Sequence, residues 1–294
     1  MPRLKNVLRV GARFLMGVIV SAYVPGEDIG DAIRIAERFE QRHGLSSLAY
    51  LNAHGEIPDR IAKVDRQALA EFARPDVQRF VSVKAPALHF DKGLIGDLAE
   101  QARRHGVGIH FDSHGIAAAD ATLECAQHAR RITEQVGVTL PAAWSRSLVD
   151  AERALRLELR HVRVVKGAFD LELNTDHARR EAYLRIIDIL CGGGCRVGVA
   201  THDHDLADEA IRRLQETGTP CEIELLHGLP ARRMLRVAQA RGVPARLCVQ
   251  YGAAWAPYSV EQVLRRPEIV GWVLKDLVSY LGGRIASAFT LAGR

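Results

Sequence analysis

Aromatic residues make up only 6% of this 294-residue chain, and lysine is scarcer still, with six residues against 34 arginines. A surface built to bind nucleic acid needs clustered cations interleaved with stacking aromatics. Here the basic residues are scattered, as in Arg130–Arg131 and Arg212–Arg213, so the net charge of +5 reads as solvated helix faces. Nucleic acid is excluded as a partner, while a small anionic ligand is compatible with this charge. The five cysteines (Cys125, Cys191, Cys195, Cys221 and Cys248) include no CxxC pair. They read as reduced core residues of a cytoplasmic protein, and Cys191 and Cys195 bracket a glycine turn, Gly192–Gly194. Long apolar runs are missing too. Phe14–Val24, preceded by Arg3, Lys5, Arg9 and Arg13, is too short to span a bilayer and has no A-x-A-like site after it. It leads straight into the helical pattern Ile33/Ala36/Phe39, so it is read as an ordinary N-terminal helix and the protein as cytoplasmic with no transmembrane segment. There is no GxGxxG and no GxxxxGK[ST], so a nucleotide cofactor must be held by loops rather than by a Rossmann unit.

What the chain does have is eight short apolar runs: Ser46–Asn52, Phe80–Ala85, Gly108–Ser113, Gly137–Ala142, His161–Gly167, Cys195–His202, Cys221–Gly228 and Leu247–Ala253. Most are followed by a stretch long enough for a helix to carry the chain back for a parallel strand. The predicted fold is α/β: a (β/α)8 TIM-like barrel with a short N-terminal helical extension. The predicted single domain comprises residues 1–44 as extension, 45–280 as barrel and 281–294 as tail. In such barrels the chemistry sits at the carboxyl ends of the strands. Those ends read Lys84, Asp112, Arg163 and Lys166, Thr201 and His202, Glu224 and Leu226, and Tyr251 and Gly252.

Period-two parity assigns faces. His110, Asp112 and His114 share one face of the third run, Glu222, Glu224 and Leu226 one face of the seventh, and Cys248, Gln250 and Gly252 one face of the eighth. Ionisable groups inside a barrel cost several kcal/mol each unless they are paired or used. Two of the six lysines, Lys84 and Lys166, stand at strand ends in a chain that otherwise prefers arginine, which points to a need for a compact ammonium there. Lys84 and Asp112 lie on adjacent strands and are expected to form an ion pair; Arg163 and Lys166 place two cations at the mouth of strand five. The histidines support a second reading. His110-Phe-Asp112-Ser-His114 and His202-Asp-His204-Asp205 have the spacing of ligands in a metal-dependent barrel hydrolase. Asp205 is read as a helix cap in that segment.

Taken in order, VSVKAPAL (81–88), IHFDSHG (109–115), VRVVKGAFDLE (162–172), ATHDHD (200–205), CEIELLHGL (221–229) and CVQYGAAWAPY (248–258) resemble proline dehydrogenase. That family is an FAD-dependent (β/α)8 barrel oxidising L-proline to Δ1-pyrroline-5-carboxylate. The likeness runs from about Tyr23 to Pro267 and includes Gly55-Glu56. It implies that Lys84 and Asp112 lie on the substrate side. Arg163 and Lys166 would contact the flavin ring, Arg163 near N5, with Gly167 and Ala168 allowing backbone approach. Thr201 and His202 would hold the ribityl–phosphate portion, Glu224 would belong to the flavin side, Leu226 would line the substrate site, and Tyr258 would open the family's helix-eight motif.

The departures are specific. After that tyrosine the family has Leu-x-Arg-Arg, whose arginines clamp the substrate carboxylate; here the segment reads Tyr258-Ser-Val-Glu261-Gln262. Arg265 and Arg266 follow one helical turn later, about 6 Å along the axis. Cys248 stands where the family has a tyrosine, and Pro141 where it has a glutamine. Each lost charge-assisted hydrogen bond is worth roughly 1.5–3 kcal/mol, and Glu261 repels a free carboxylate. The expectation is therefore an FAD-dependent dehydrogenase acting on a proline-like or other secondary or cyclic amine, its carboxylate masked or carrier-bound, with an unassigned electron acceptor. A barrel that has lost catalysis and serves as a binding partner is the third reading.

Overall fold

The apolar runs become eight parallel strands because each is flanked by an amphipathic helix that covers its outer face. The computed structural model describes residues 28–167 and 170–252. Ala168, Tyr258, Glu261, Gln262, Arg265, Arg266 and the Phe14–Val24 segment lie outside the described residues. The strands are β1 (Gly44–Tyr50), β2 (Arg79–Val83), β3 (Gly108–Phe111), β4 (Val136–Pro141), β5 (His161–Val165), β6 (Arg196–Ala200), β7 (Cys221–Leu226) and β8 (Ala245–Tyr251). They close in sequence order, β1 pairing in parallel with both β2 and β8. The helices are α1 (Ile29–His43) before β1, then α2 (Pro58–Glu71), α3 (Lys92–His105), α4 (Ala119–Arg130), α5 (Ser147–Arg156), α6 (Asp176–Leu190), α7 (His204–Glu216) and α8 (Arg232–Arg241), each following the strand one number lower. This is the predicted (β/α)8 barrel, and the Ile33/Ala36/Phe39 pattern is α1.

Local chemistry sets the boundaries. Asp28, Asp91, Thr175 and Asp203 cap the helices that follow them by accepting from backbone N–H groups. Gly106 and Gly242 end α3 and α8 in the left-handed region, at φ +66° and +65°. The helix cap after β6 is Asp203, not Asp205 as the sequence implied, because β6 ends at Ala200 and α7 starts at His204.

The hydrophobic core is the layer between strands and helices. Val81, Val83, Ile109, Phe111, Val162, Val164, Val197, Val199, Ile223 and Val249 pack outward against Ala62, Leu69, Leu98, Ala126, Ile187 and Ile211, all buried. Arg79, also buried, faces outward from β2 and fixes α1 to the barrel through Glu40, 2.8 Å from Nε and 2.6 Å from Nη2.

The inward face is different. TIM barrels ordinarily fill it with branched aliphatics; here Phe80, His110, His161, Arg163, Glu222, Glu224 and Arg246 occupy it. Contacts between non-adjacent strands establish this, since β5 reaches β7, β3 and β2 only across the lumen. Three glycines create the room. A Cβ on Gly108 would overlap the Phe80 ring, one on Gly137 the His110 imidazole, and one on Gly198 the Glu224 carboxylate.

Candidate active site

The site is assembled upward from the barrel floor. Arg246 on β8, fully buried, donates from Nη1 to the carbonyls of Ser46 (2.7 Å) and Gln78 (3.0 Å), and binds Glu222 through Nε and Nη2. Its guanidinium also lies over the Phe80 ring, 4.9 Å from the centroid. Glu222 Oε1 is 3.1 Å from His161 Nε2. Burial opposes the charge on Glu222, but Arg246 and His161 outweigh it and hold the carboxyl well below the usual range. His161 Nδ1 meets His110 Nδ1 at 3.3 Å, and His110 Nε2 reaches Thr139 Oγ1 at 2.9 Å. Burial, reinforced by Arg163, His161 and Arg246, drives His110 well below the ordinary histidine value and keeps it neutral.

Arg163 stands above this layer, near the end of β5. Its Nε donates to Glu224 Oε2 at 2.6 Å, and its Nη1 to Asp112 Oδ1 at 2.7 Å and Thr139 Oγ1 at 3.3 Å. Burial works against the guanidinium charge, but the two carboxylates more than offset it and hold Arg163 above its ordinary value. Its Nη2 makes no hydrogen bond among the described residues, which leaves one donor on a rigidly held cation. Cys248 lies beside it, and burial pushes the thiol up to about 11.

Lys84 follows β2 and donates to Asn52 Oδ1 at 3.2 Å. The expected Lys84–Asp112 ion pair does not form, because the salt bridge of Asp112 goes to Arg163 instead. Burial lowers the Lys84 pKa; the fields of Asp112, Asp65 and Glu56 oppose that fall. Lys166 is 2.9 Å from Asp203 and 2.7 Å from Asp176. Bonds from Arg180 and Lys166 overcome burial and hold Asp203 at about 2. The two cations expected at the mouth of strand five are thus each matched by two carboxylates.

The remaining predicted positions lie where the strands end. Thr201 is buried and accepts the Asp203 N–H at 3.1 Å, His202 is exposed, and Gly167 follows β5 with no side chain. Leu226 ends β7 opposite Cys248, half-buried. Glu224 is buried and serves Arg163 directly. Glu56, after the Gly55 turn, accepts from Tyr50 Oη at 3.0 Å and from the Ala53 N–H at 2.9 Å.

The histidine-based metal set is not assembled. Among the described residues one group of three ligand-type side chains converges within 4.8 Å, and it is His161, Glu222 and Glu224. Arg246 and Arg163 already bind its two carboxylates. His110 is instead engaged by Thr139 and His161, and His204 begins α7 beside Asp205.

Sequence reasoning missed three participants. His161 and Arg246 open the inward faces of β5 and β8, and parity extended one or two residues back would have found both. Asp65 sits on α2, only 2% exposed. Burial pushes it up to about 7, with Lys84 and Arg66 pulling the other way. Its signal was an acid within the apolar stripe Ile61, Ala62, Ala68 and Leu69.

No protein-family model matches the chain, and no curated protein matches it. Solved structures do. A proline utilization A (PutA) with proline bound in remote sites matches at a TM-score of 0.69 and 19% identity, covering 86% of this chain. This chain shares the fold of one part of proline utilization A. The PutA of Bdellovibrio bacteriovorus, inactivated by N-propargylglycine, matches at 0.67 and 16% identity over 84%, and a PutA mutant of Bradyrhizobium japonicum at 0.64 and 17% over 78%. The chain spans only about a third of those proteins, 31%, 32% and 29% of their respective lengths. No helix among the described residues is long and apolar enough to cross a membrane.

Proposed function

We propose that this chain is a divergent, cytoplasmic member of the proline dehydrogenase family. In this reading it is an FAD-dependent oxidoreductase of a single barrel domain that acts on the CH–NH bond of a proline-like or other secondary or cyclic amine. The observation that carries the reading is Arg163: a buried guanidinium, fixed by Asp112 and Glu224, whose Nη2 makes no hydrogen bond among the described residues and so can serve a ligand. An electron-rich ring that gains negative charge on reduction is the partner such a donor fits. FAD, when bound, supplies the two-electron acceptor for the carbon next to nitrogen.

The chain's own residues do the rest. Arg163 and Lys166 would hold the flavin ring, with Gly167 and Ala168 at its edge by the sequence resemblance, and Thr201 and His202 would hold its polar chain. Lys84 and Asp112 orient the substrate nitrogen. A lysine whose pKa burial has lowered is more often the free amine than a surface one, and in that form its nitrogen can accept the proton that a substrate ammonium must lose. Leu226 is assigned to the substrate side, and Tyr258, Glu261 and Gln262, outside the described residues, are assigned there by the sequence resemblance. With an acid in place of the arginine clamp, a masked carboxylate or a cationic substituent is favoured over free L-proline. The electron acceptor is left to experiment.

The test is anaerobic mixing of the FAD-loaded protein with L-proline, proline amides and esters, and cyclic amines. Bleaching by a masked or cyclic amine, with little response to L-proline, supports the reading. Efficient reduction by L-proline at micromolar to low millimolar affinity overturns the substrate assignment.

A further inference from the structure

We propose that His161 is a positioning residue for Arg163, acting from the middle of the barrel through two separate paths; this rests on the reading of Arg163 as the flavin-side cation. The first path runs from His161 Nε2 to Glu224 Oε1 (3.3 Å), then from Glu224 Oε2 to Arg163 Nε (2.6 Å). The second runs from His161 Nδ1 to His110 Nδ1 (3.3 Å), from His110 Nε2 to Thr139 Oγ1 (2.9 Å), and from Thr139 to Arg163 Nη1 (3.3 Å). The two paths leave opposite sides of one imidazole and rejoin on one guanidinium, forming a closed ring of five side chains.

His161 is itself immobilised from below. Glu222 binds the same Nε2 at 3.1 Å, Arg246 holds Glu222, and Arg246 is pinned to the backbone at Ser46 and Gln78. The Phe80 ring packs on the imidazole at 4.9 Å. Glu224, by contrast, has little else to steady it: Gly198 beneath it offers no side chain, and among the described residues Oε1 makes no hydrogen bond beyond the approach of His161. Nε2, facing two carboxylates, is the N–H end of the ring: it hydrogen-bonds Glu222 at 3.1 Å and sets its polar edge 3.3 Å from Glu224 Oε1, on the far side of that carboxylate from Arg163. A barrel needing only to be filled is served at least as well by apolar side chains. A donor ring converging on a ligand-facing cation is what preorganised sites require.

The experiment is FAD titration of the full chain at pH 7.5, comparing wild type, His161→Asn, Glu224→Gln and the double variant. His161→Asn is expected to bind FAD about tenfold more weakly than wild type. Because His161 and Glu224 act on Arg163 in series, the double variant is expected to lose little beyond the larger single loss, whereas a loss of packing alone would add to it. His161→Asn with wild-type affinity overturns the proposal, as do losses that add fully in the double variant. Thr139→Val, which cuts only the second path, provides an independent reading should His161→Asn not fold: about threefold weaker FAD is expected, and unchanged affinity overturns the proposal. A wild-type protein that takes up no FAD at all overturns the flavin reading itself, and with it the role of His161.

Discussion

Asp65 gives the sharpest quantitative test of the electrostatics. It is buried on α2 among Ile61, Ala62, Ala68 and Leu69, and burial raises its pKa from the ordinary 3.8 to about 7. An acid that is harder to ionise when folded destabilises the fold once the unfolded chain ionises freely. Below about pH 3 the carboxyl is neutral in both states and contributes nothing. As the pH rises through the interval between 3.8 and about 7 the unfolded state releases its proton first, and stability falls. Above that interval the loss is complete and amounts to about 4 kcal/mol at most, at 1.36 kcal/mol per pH unit. Asp65→Asn keeps the shape and removes the charge. We expect it to stabilise the protein by about 2–4 kcal/mol at pH 8, the lower bound allowing for an imperfectly bonded amide. Toward pH 3 the gain should disappear. Urea denaturation of both proteins across pH 3–8 measures this directly. A variant that is less stable at pH 8, or whose gain does not change with pH, refutes the argument. The variant should also depress the Lys84 pKa further, because Asp65 is one of three acids supporting that ammonium.

Other outcomes follow from the barrel interior. Gly198→Ala places a methyl group on the Glu224 carboxylate, and the displaced pair with Arg163 should cost about 3 kcal/mol in urea denaturation, well beyond the 0.4–1 kcal/mol that alanine returns by stiffening the unfolded chain. Arg246→Met leaves Glu222 buried without its cation and should cost about 3–5 kcal/mol, while Arg246→Met combined with Glu222→Leu should cost less than the single change. Lys166→Met removes one of the two cations on Asp203 and leaves Arg180, so its low pKa rises in part; the stability lost should be largest near neutral pH and shrink on acidification toward about pH 2, as thermal melts across pH would show.

Much of this was legible in the sequence because a parallel barrel writes itself plainly: eight apolar runs, helix-length spacers and glycines at helix ends. Parity correctly placed His110, Glu222 and Glu224 on inward faces. Pairing within the lumen was not legible. A one-dimensional reading joins neighbours, so it put Lys84 with Asp112, whereas Arg163 reaches across from β5 with a longer, forked side chain and takes that carboxylate as well as Glu224. His161 and Arg246 escaped notice because they sit low on their strands, away from the carboxyl ends where chemistry is sought. Asp65 escaped because it stands on a helix. The metal reading failed on the same ground: alternation along one strand brings His110 and His114 to one face, but the lumen brings His161, Glu222 and Glu224 together instead.

The most direct measurement is the visible absorption spectrum of the purified full-length protein after reconstitution with FAD and removal of the excess. The account predicts a yellow protein with about one bound flavin per chain. A colourless protein after reconstitution would contradict it, leaving the ring of polar side chains around Arg163 as structure without the chemistry assigned to it.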